Sequence, residues 1–266
     1  MSVINSNMDK NDTYLKEERQ GRILVLIEEQ GRVIVPELSK YFGVSEATIR
    51  RDLEELDSLR QIRRTHGGAV RAEEAPKEPP MMQRLGDQPE EKASIGKAAV
   101  KTIKNGETIF LGSGTTVLEI ARNLPADIQL TVITNSLPVV NELATHAGVE
   151  LIVIGGMLRQ SELSMIGHVA EQAVREFRAD RVFLGMNAID VSCGFTNDYP
   201  PEITTDRAIL GIAPQVIILA DHSKFGRVSS MLVAPVSAAQ VIITDQTTPQ
   251  TIIEGLREKG IRVIQA

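Results

Sequence analysis

The apolar positions of this chain fall into two regimes: short helical patterns up to about residue 70, and near-continuous apolar runs alternating with helical patterns beyond residue 90. Between Arg19 and Glu29, Ile23, Leu24, Leu26 and Ile27 recur at helical spacing, and Gly31 follows as a stop. Val33 to Val35 is a β-branched run long enough only for a brief strand, and Pro36 sits where the first position of a helix favours it. Leu38, Tyr41 and Phe42 give that second helix an apolar face, and Gly43 ends it. Ser45 is placed to cap a third helix, in which Ala47, Ile49, Leu53 and Leu56 point inward while Glu46, Thr48, Arg50, Arg51 and Glu54 point outward. Gln61 to Val70, with the Gly67-Gly68 turn inside it, reads as a basic β-hairpin. Two helices joined by a Gly-Val-Ser turn, the second exposing Thr-x-Arg-Arg and followed by a hairpin wing, form a winged helix-turn-helix layout.

The second regime predicts strands at Thr108–Leu111, Leu130–Thr134, Leu151–Ile154, Arg181–Leu184, Val216–Ala220, Val241–Thr244 and Arg262–Ile264, with helices such as Val117–Leu124 and Pro249–Lys259 between them. Runs of Ile, Val and Leu without alternation are strands buried on both faces, so a mostly parallel sheet covered by helices on each side is expected. The fold class is therefore α/β: a winged helix-turn-helix over residues 14–71, a Pro-rich linker over 72–89, and a Rossmann-like domain over 90–266.

Composition narrows the class. With 42% hydrophobic and 24% charged residues the chain is an ordinary folded protein, and its single cysteine, Cys193, excludes a disulfide framework or a Cys-based zinc site. No run approaches the roughly 18 apolar residues of a membrane span, so a cytoplasmic protein is expected. Residues 1–71 hold 12 basic and 12 acidic residues of the chain's 29 and 35, so the net charge of −6 falls wholly after them. Within the first part, the stretch from Arg60 to Arg71 carries Arg60, Arg63, Arg64 and Arg71 and no acid, a local positive field suited to nucleic acid.

Three constellations carry chemistry. Thr48, Arg50 and Arg51 offer hydroxyl and guanidinium groups to base edges and phosphates, with the wing arginines adding phosphate contacts; the same pattern also occurs on solvated helices. Gly112-Ser113-Gly114-Thr115-Thr116 joins a strand end to a helix start, where glycines, hydroxyls and free backbone N–H groups make a phosphate nest; as a plain tight turn it would be unremarkable. It lacks the lysine of a Walker A loop. Further polar clusters end later strands: Thr134-Asn135-Ser136, Gly155-Gly156 with Arg159, Asn187 with Asp190, and Asp221-His222-Ser223-Lys224. Ligands of open α/β sheets sit beyond the carboxyl ends of the strands, so these clusters predict a pocket, although each also reads as a turn residue or a surface charge. Met157, Met165, Met186 and the Phe195–Pro201 segment are candidates to shape it. His66, His146, His168 and His222 show no metal-ligand spacing, and neither a metal nor a cofactor is expected.

Ser45-Glu-Ala-Thr-Ile-Arg-Arg-Asp-Leu-Glu-Glu-Leu56 and Ile62-Arg-Arg-Thr-His-Gly-Gly-Ala-Val70 closely resemble the DeoR family of bacterial transcription regulators. The resemblance runs on through Leu111-Gly-Ser-Gly-Thr-Thr116, Ile154-Gly-Gly156, Phe183-Leu-Gly185 and Leu219-Ala-Asp-His-Ser-Lys-Phe225. It implies operator DNA as a partner, read through Ser45, Glu46, Thr48, Arg50, Arg51, Arg60, Arg63, Arg64 and His66. It also implies a sensor domain like ribose-5-phosphate isomerase that binds a phosphorylated sugar, and an assembly of two or four copies. Where many members have a glycine after the recognition helix this chain has Arg60, which alters the helix-to-wing turn and adds a candidate phosphate contact. By the same resemblance Gly112, Ser113, Gly114, Thr115, Thr116, Asn135, Ser136, Arg159, Asn187, Asp190, Glu202 and Lys224 line the effector pocket. Leu184, Asn187 and Ala188 stand where the isomerases carry acids, while Asp190 and Lys224 persist, which implies binding without turnover. A repressor of carbohydrate catabolism is expected; a sugar-phosphate isomerase with a DNA-binding appendage and a winged helix that binds protein are the alternatives.

Overall fold

A computed structural model describes residues 14–30, 32–58, 61–65, 67–71 and 79–266. The chain divides into two compact units, Met1–Glu73 and Glu74–Ala266.

The first unit runs α1 (Lys16–Gln30), β1 (Arg32–Ile34), α2 (Val35–Phe42), α3 (Glu46–Ser58), β2 (Ile62–Thr65) and β3 (Gly68–Arg71), with the strands in the order β1-β3-β2, all antiparallel. Its core is the set that the periodicity picks out: Ile23, Leu26 and Ile27 of α1, Leu38 and Phe42 of α2, Ile49, Leu53 and Leu56 of α3, closed by Val33, Ile62 and Ala69 of the sheet. One inward assignment needs correction. Ala47 is exposed, because it lies about 200° around the helix from Ile49, on the same side as the arginines. The inward position it was expected to share is taken by Asp52, which is buried and receives Arg19 Nε at 2.5 Å and Nη2 at 3.2 Å. This fork-to-carboxylate pair ties α1 to α3 and fixes the rotation of the helix that carries the Thr-x-Arg-Arg face.

The second unit opens with α4 (Met81–Arg84) and α5 (Pro89–Val100). The stretch 72–89 was expected to be a linker throughout, yet from Pro79 onward the described residues belong to this unit. Met81 is fully buried in the core of this unit and its N–H donates to Ser161 O at 2.7 Å. The prolines hid a short helix whose apolar content, Met81 and Leu85, is too brief to show a period. There follow β4 (Thr108–Leu111), α6 (Thr115–Asn123), β5 (Leu130–Thr134), α7 (Leu137–Leu143), β6 (Val149–Val153), β7 (Met157–Arg159), β8 (Ser164–Ile166), α8 (His168–Arg175), β9 (Arg181–Gly185), β10 (Ala188–Asp190), β11 (Gly194–Asn197), α9 (Pro200–Leu210), β12 (Gln215–Leu219), β13 (Met231–Ala234), β14 (Val241–Thr244), α10 (Gln250–Glu258) and β15 (Arg262–Gln265).

Seven strands form one parallel sheet in the order β15-β14-β12-β9-β4-β5-β6. Successive residues of each strand feed opposite faces. Phe110, Ile133, Val182, Leu184 and Ile218 pack with α8, α9 and α10, whereas Ile109, Leu111, Val132, Phe183 and Ile217 pack with α5, α6 and α7. The expected three-layer arrangement is thus present. Two smaller sheets complete the unit, the hairpin β7-β8 and the antiparallel β10-β11-β13.

Removing Asp52 strands the buried Arg19 guanidinium. Asp52→Ala is expected to destabilise the first unit by about 3–5 kcal/mol, and Arg19→Met with Asp52→Leu to recover most of that loss. Denaturant titration reads both; a single variant as stable as the parent would show that the pair does not hold α3.

Candidate functional site

Two surfaces gather the chemistry, one in each unit. On the first, Ser45 Oγ accepts from Thr48 N at 3.2 Å, capping α3 as its position predicted, and also lies 2.9 Å from Thr48 Oγ1. Arg50 and Arg51 are exposed, and Arg50 Nη2 reaches Glu46 at 3.2 Å one turn away. Arg64 Nη1 donates to Glu54 at 2.8 Å and its N–H to Asp57 at 3.0 Å, so this wing residue braces the hairpin against α3. Exposed pairs of this kind contribute little to stability, and their arginines exchange partners readily. Arg60, His66 and the side chain of Arg63 lie outside the described residues.

The second surface is a cleft at the carboxyl ends of the parallel strands. Strand order reverses beside β4: β5 and β6 follow it on one side, while β9, β12, β14 and β15 extend the other. The chain therefore leaves β4 and β9 in opposite directions and opens a crevice between them, where open α/β sheets bind ligands. Gly112 sets its depth. A Cβ there would stand 2.3 Å from Leu184 Cδ2 and 3.3 Å from Phe183 O, so glycine lets the end of β4 lie against β9 without displacing the Leu184 side chain. Gly114, at φ 109°, then turns the chain into α6, whose first turn has no side-chain cap and presents its N–H groups to the opening.

The cleft encloses about 690 Å³, its open mouth included. Of the residues the sequence pointed to, Ser113, Gly114, Thr115, Thr116, Arg159, Asn187, Glu202 and Lys224 line it together. Gly112, Asn135, Ser136 and Asp190 do not. Gly112 shapes the floor; Asn135 Nδ2 donates to Met165 O at 2.9 Å, joining β5 to the β7-β8 hairpin; Ser136 is fully buried at the start of α7; and Asp190 accepts from the N–H groups of Ser192 and Cys193, both at 2.8 Å, closing the β10-β11 turn. Each was expected for lying at a strand end, but those ends face away from the crevice or are claimed by their own turns. Met186 lines the cleft, whereas Met157 and Met165 are absent from its walls.

Three further polar residues come in that the sequence reading did not place there, Arg84, Glu162 and Asp206, and Asn197 joins them from a segment that it did. Arg84 stands on the stretch taken for a linker. Asn197 falls within the Phe195–Pro201 segment, and Asp206 lies one helical turn after Glu202 on α9, a spacing that would have found it.

The walls are electrostatically self-matched. Glu202, buried, accepts from Arg159 Nη1 and from Asn197 Nδ2 at 2.6 Å; the Arg159 guanidinium also lies 4.5 Å over the Tyr199 ring. Arg84 Nη2 meets Glu162 at 2.5 Å. Burial, then the charge of Glu202, push the Asp206 carboxyl well above its ordinary range against the pull of Arg159. Lys92 is buried behind Arg84, donating to its carbonyl at 2.8 Å; burial first, then Lys224 and Arg84, lower its pKa against the pull of Asp221. Asn187 Oδ1 is buried and has no hydrogen-bond partner among the described residues. Lys224 is set by the short 3-10 turn His222–Lys224, which Asp221 caps through Ser223 N at 3.0 Å and which Asp245 steadies from the end of β14 through His222 N at 2.6 Å.

A family model described as the DeoR C terminal sensor domain matches residues 87–246, and one described as a DeoR-like helix-turn-helix domain matches residues 19–75. The chain belongs to the DeoR family. Similar DeoR-family proteins include the transcriptional repressor AccR of Agrobacterium fabrum, 36% identical over 91% of this chain and 94% of its own length. A putative aga operon transcriptional repressor of Escherichia coli O157:H7 is 35% identical over 99% and 98%, and the glycerol-3-phosphate regulon repressor of Escherichia coli K12 is 33% identical over 92% and 97%. Among solved structures, ribose 5-phosphate isomerase A from Methanocaldococcus jannaschii is similar at 19% identity, with a TM-score of 0.37 over 50% of this chain and 53% of that one. A likeness of that grade bears on no functional argument.

The DeoR-family sensor unit carries a pH signature from Asp206. With its folded pKa raised above the unfolded value, it favours the fold fully below the ordinary carboxylate range, and that contribution is lost as pH rises through the raised pKa. Asp206→Asn is therefore expected to gain thermal stability relative to the parent as pH increases, measured as the difference in Tm across a pH series. A difference that stays flat would place the proton elsewhere.

Proposed function

We propose that this DeoR-family chain is a DNA-binding transcriptional repressor whose operator affinity is governed by a phosphorylated sugar held in the sensor cleft and released unchanged. The observation that carries the reading is the open N-terminus of α6, entered through Ser113-Gly114, sharing one cleft with Lys224. Unclaimed N–H groups, two threonine hydroxyls and a lysine make an anion seat. Asn187, Asn197 and Asp206 on the other walls bring amide and carboxyl groups suited to sugar hydroxyls. The names of the relatives support the class, one of them referring to a phosphorylated three-carbon polyol.

An isomerase reading is weaker, because each acidic side chain lining the cleft is occupied. Glu162 is paired with Arg84, Glu202 with Arg159 and Asn197, and Asp206 is pushed toward its neutral form by burial and by Glu202. A general base needs an ionised group within reach of the substrate carbon. On the DNA side, α3 with Thr48, Arg50 and Arg51 serves as the reading helix and the β2-β3 hairpin as the wing. Two or four copies are expected, as helix-turn-helix proteins read paired half-sites.

Anisotropy titration with DNA from upstream of the protein's own gene is expected to show affinity that falls steeply with salt, and Arg50→Ala with Arg51→Ala to abolish specific binding. Salt-insensitive binding would refute the reader. Thermal-shift screening with glycerol 3-phosphate, ribose 5-phosphate, fructose 6-phosphate and N-acetylglucosamine 6-phosphate is expected to raise Tm with at least one ester. Lys224→Gln should weaken that ester's binding roughly ten- to a hundredfold. Turnover of any of these esters would overturn the sensor reading.

A further inference from the structure

The stretch that leads into the second unit has a side chain in the cleft. Arg84 lies ten residues after Glu74, where that unit begins, and among the described residues its guanidinium is held at Pro79 and at Glu162. Nε donates to Pro79 O at 2.7 Å, on its own segment, and Nη2 reaches Glu162 at 2.5 Å. The segment is fastened further by Met81 N on Ser161 O at 2.7 Å and by Lys92 Nζ on Arg84 O at 2.8 Å. Ser161 and Glu162 belong to the turn between β7 and β8, and the same turn holds Arg159. Arg159 Nε donates to Ser161 Oγ at 3.1 Å, and Glu162 N donates to Arg159 O at 3.2 Å. One hairpin turn thus holds a cleft arginine on one side and the incoming segment on the other.

We propose that Arg84 is an anion-binding residue of the cleft, and that its transfer from Glu162 to a bound phosphate ester shifts the 79–92 segment and carries the effector signal toward the reader. The inference rests on the sugar-phosphate reading given above. Arginine matches a carboxylate and a phosphate with the same planar fork, and a phosphate ester carries more charge and more acceptor oxygens than Glu162. The exchange needs no new cation in the site. Because Nε holds Pro79 O, a guanidinium that turns toward the ligand takes the backbone of its own segment with it. Such a contact differs between the two states of the protein, which is what coupling requires.

The test uses the full chain, operator DNA, and glycerol 3-phosphate, ribose 5-phosphate and fructose 6-phosphate as probes. Three quantities are read: ester-induced thermal shift, the ester-dependent change in operator affinity, and hydrogen exchange over residues 79–92. In the parent, an ester that raises Tm is expected to alter exchange in that segment. Arg84→Lys keeps the charge and loses the fork, so the thermal shift should persist while the change in operator affinity shrinks at least about fivefold. Glu162→Gln removes the carboxylate that holds Arg84, so without any ester its exchange over 79–92 and its operator affinity should move toward the ester-bound values of the parent. If either folded variant behaves as the parent in operator response and exchange, the relay is wrong although the cleft reading stands. If no probe stabilises the parent, the cleft reading fails and the relay falls with it.

Discussion

Parallel strands need crossovers, and crossovers of one hand send the chain to opposite sides of the sheet when strand order reverses. In this protein the reversal lies beside β4, and several loops converge on the crevice it opens. Gly112 lets the two strand ends touch, Gly114 turns the chain into α6, and the N–H groups of α6 then face the opening. Lys224 joins them from the loop after β12 and Asn187 from the loop after β9. The chemistry of the cleft is downstream of this single topological feature.

Within the crevice, charge is balanced by the protein itself. Two arginines are matched by two glutamates, and a third carboxyl is pushed toward its neutral form by burial and by the neighbouring Glu202. Taking ions out of water is costly unless partners are in place, so pairing is the stable condition of an unliganded site. A ligand that brings its own negative charge competes with an internal carboxylate, and whatever backbone the released partner is attached to becomes part of the response. The tie between Arg84 and Pro79 gives that response a direction along the chain.

The reader is organised by the opposite economy. Its one buried ion pair, among the described residues, is Arg19 with Asp52, which orients α3 from behind, while Arg50 on its outer face and Arg64 of the wing are held by the exposed partners Glu46 and Glu54. The buried contact is worth keeping in every state, and the exposed ones are weak enough for a DNA phosphate to replace them. Orientation and contact are thus assigned to different residues of a single helix.

Much of this was legible in the residue pattern. Uninterrupted Ile/Val/Leu runs are what strands buried on both faces require, and they located all seven strands of the large sheet to within a residue or two. Glycine and hydroxyl residues at a strand end marked one wall of the cleft, and Ser45 marked the start of α3. Other features left no periodic trace. The strands of the β10-β11-β13 sheet are three or four residues long, and β11 is buried at every position, so alternation could not reveal it.

The cleft's membership divides the same way. Local chemistry, the turn at Ser113-Gly114 and the strand ends at Asn187 and Lys224, was set by residues adjacent in sequence. Arg84 with Glu162, 78 positions apart, and Arg159 with Glu202, 43 apart, meet only because packing brings a hairpin turn against a short helix and a second helix against both. A charged residue's partner across such a separation is written in the topology and not in its neighbours. The sequence by itself therefore determined which elements form and where an anion can sit; the tertiary structure alone decided which charges face one another, and so which stretch of chain is placed to respond.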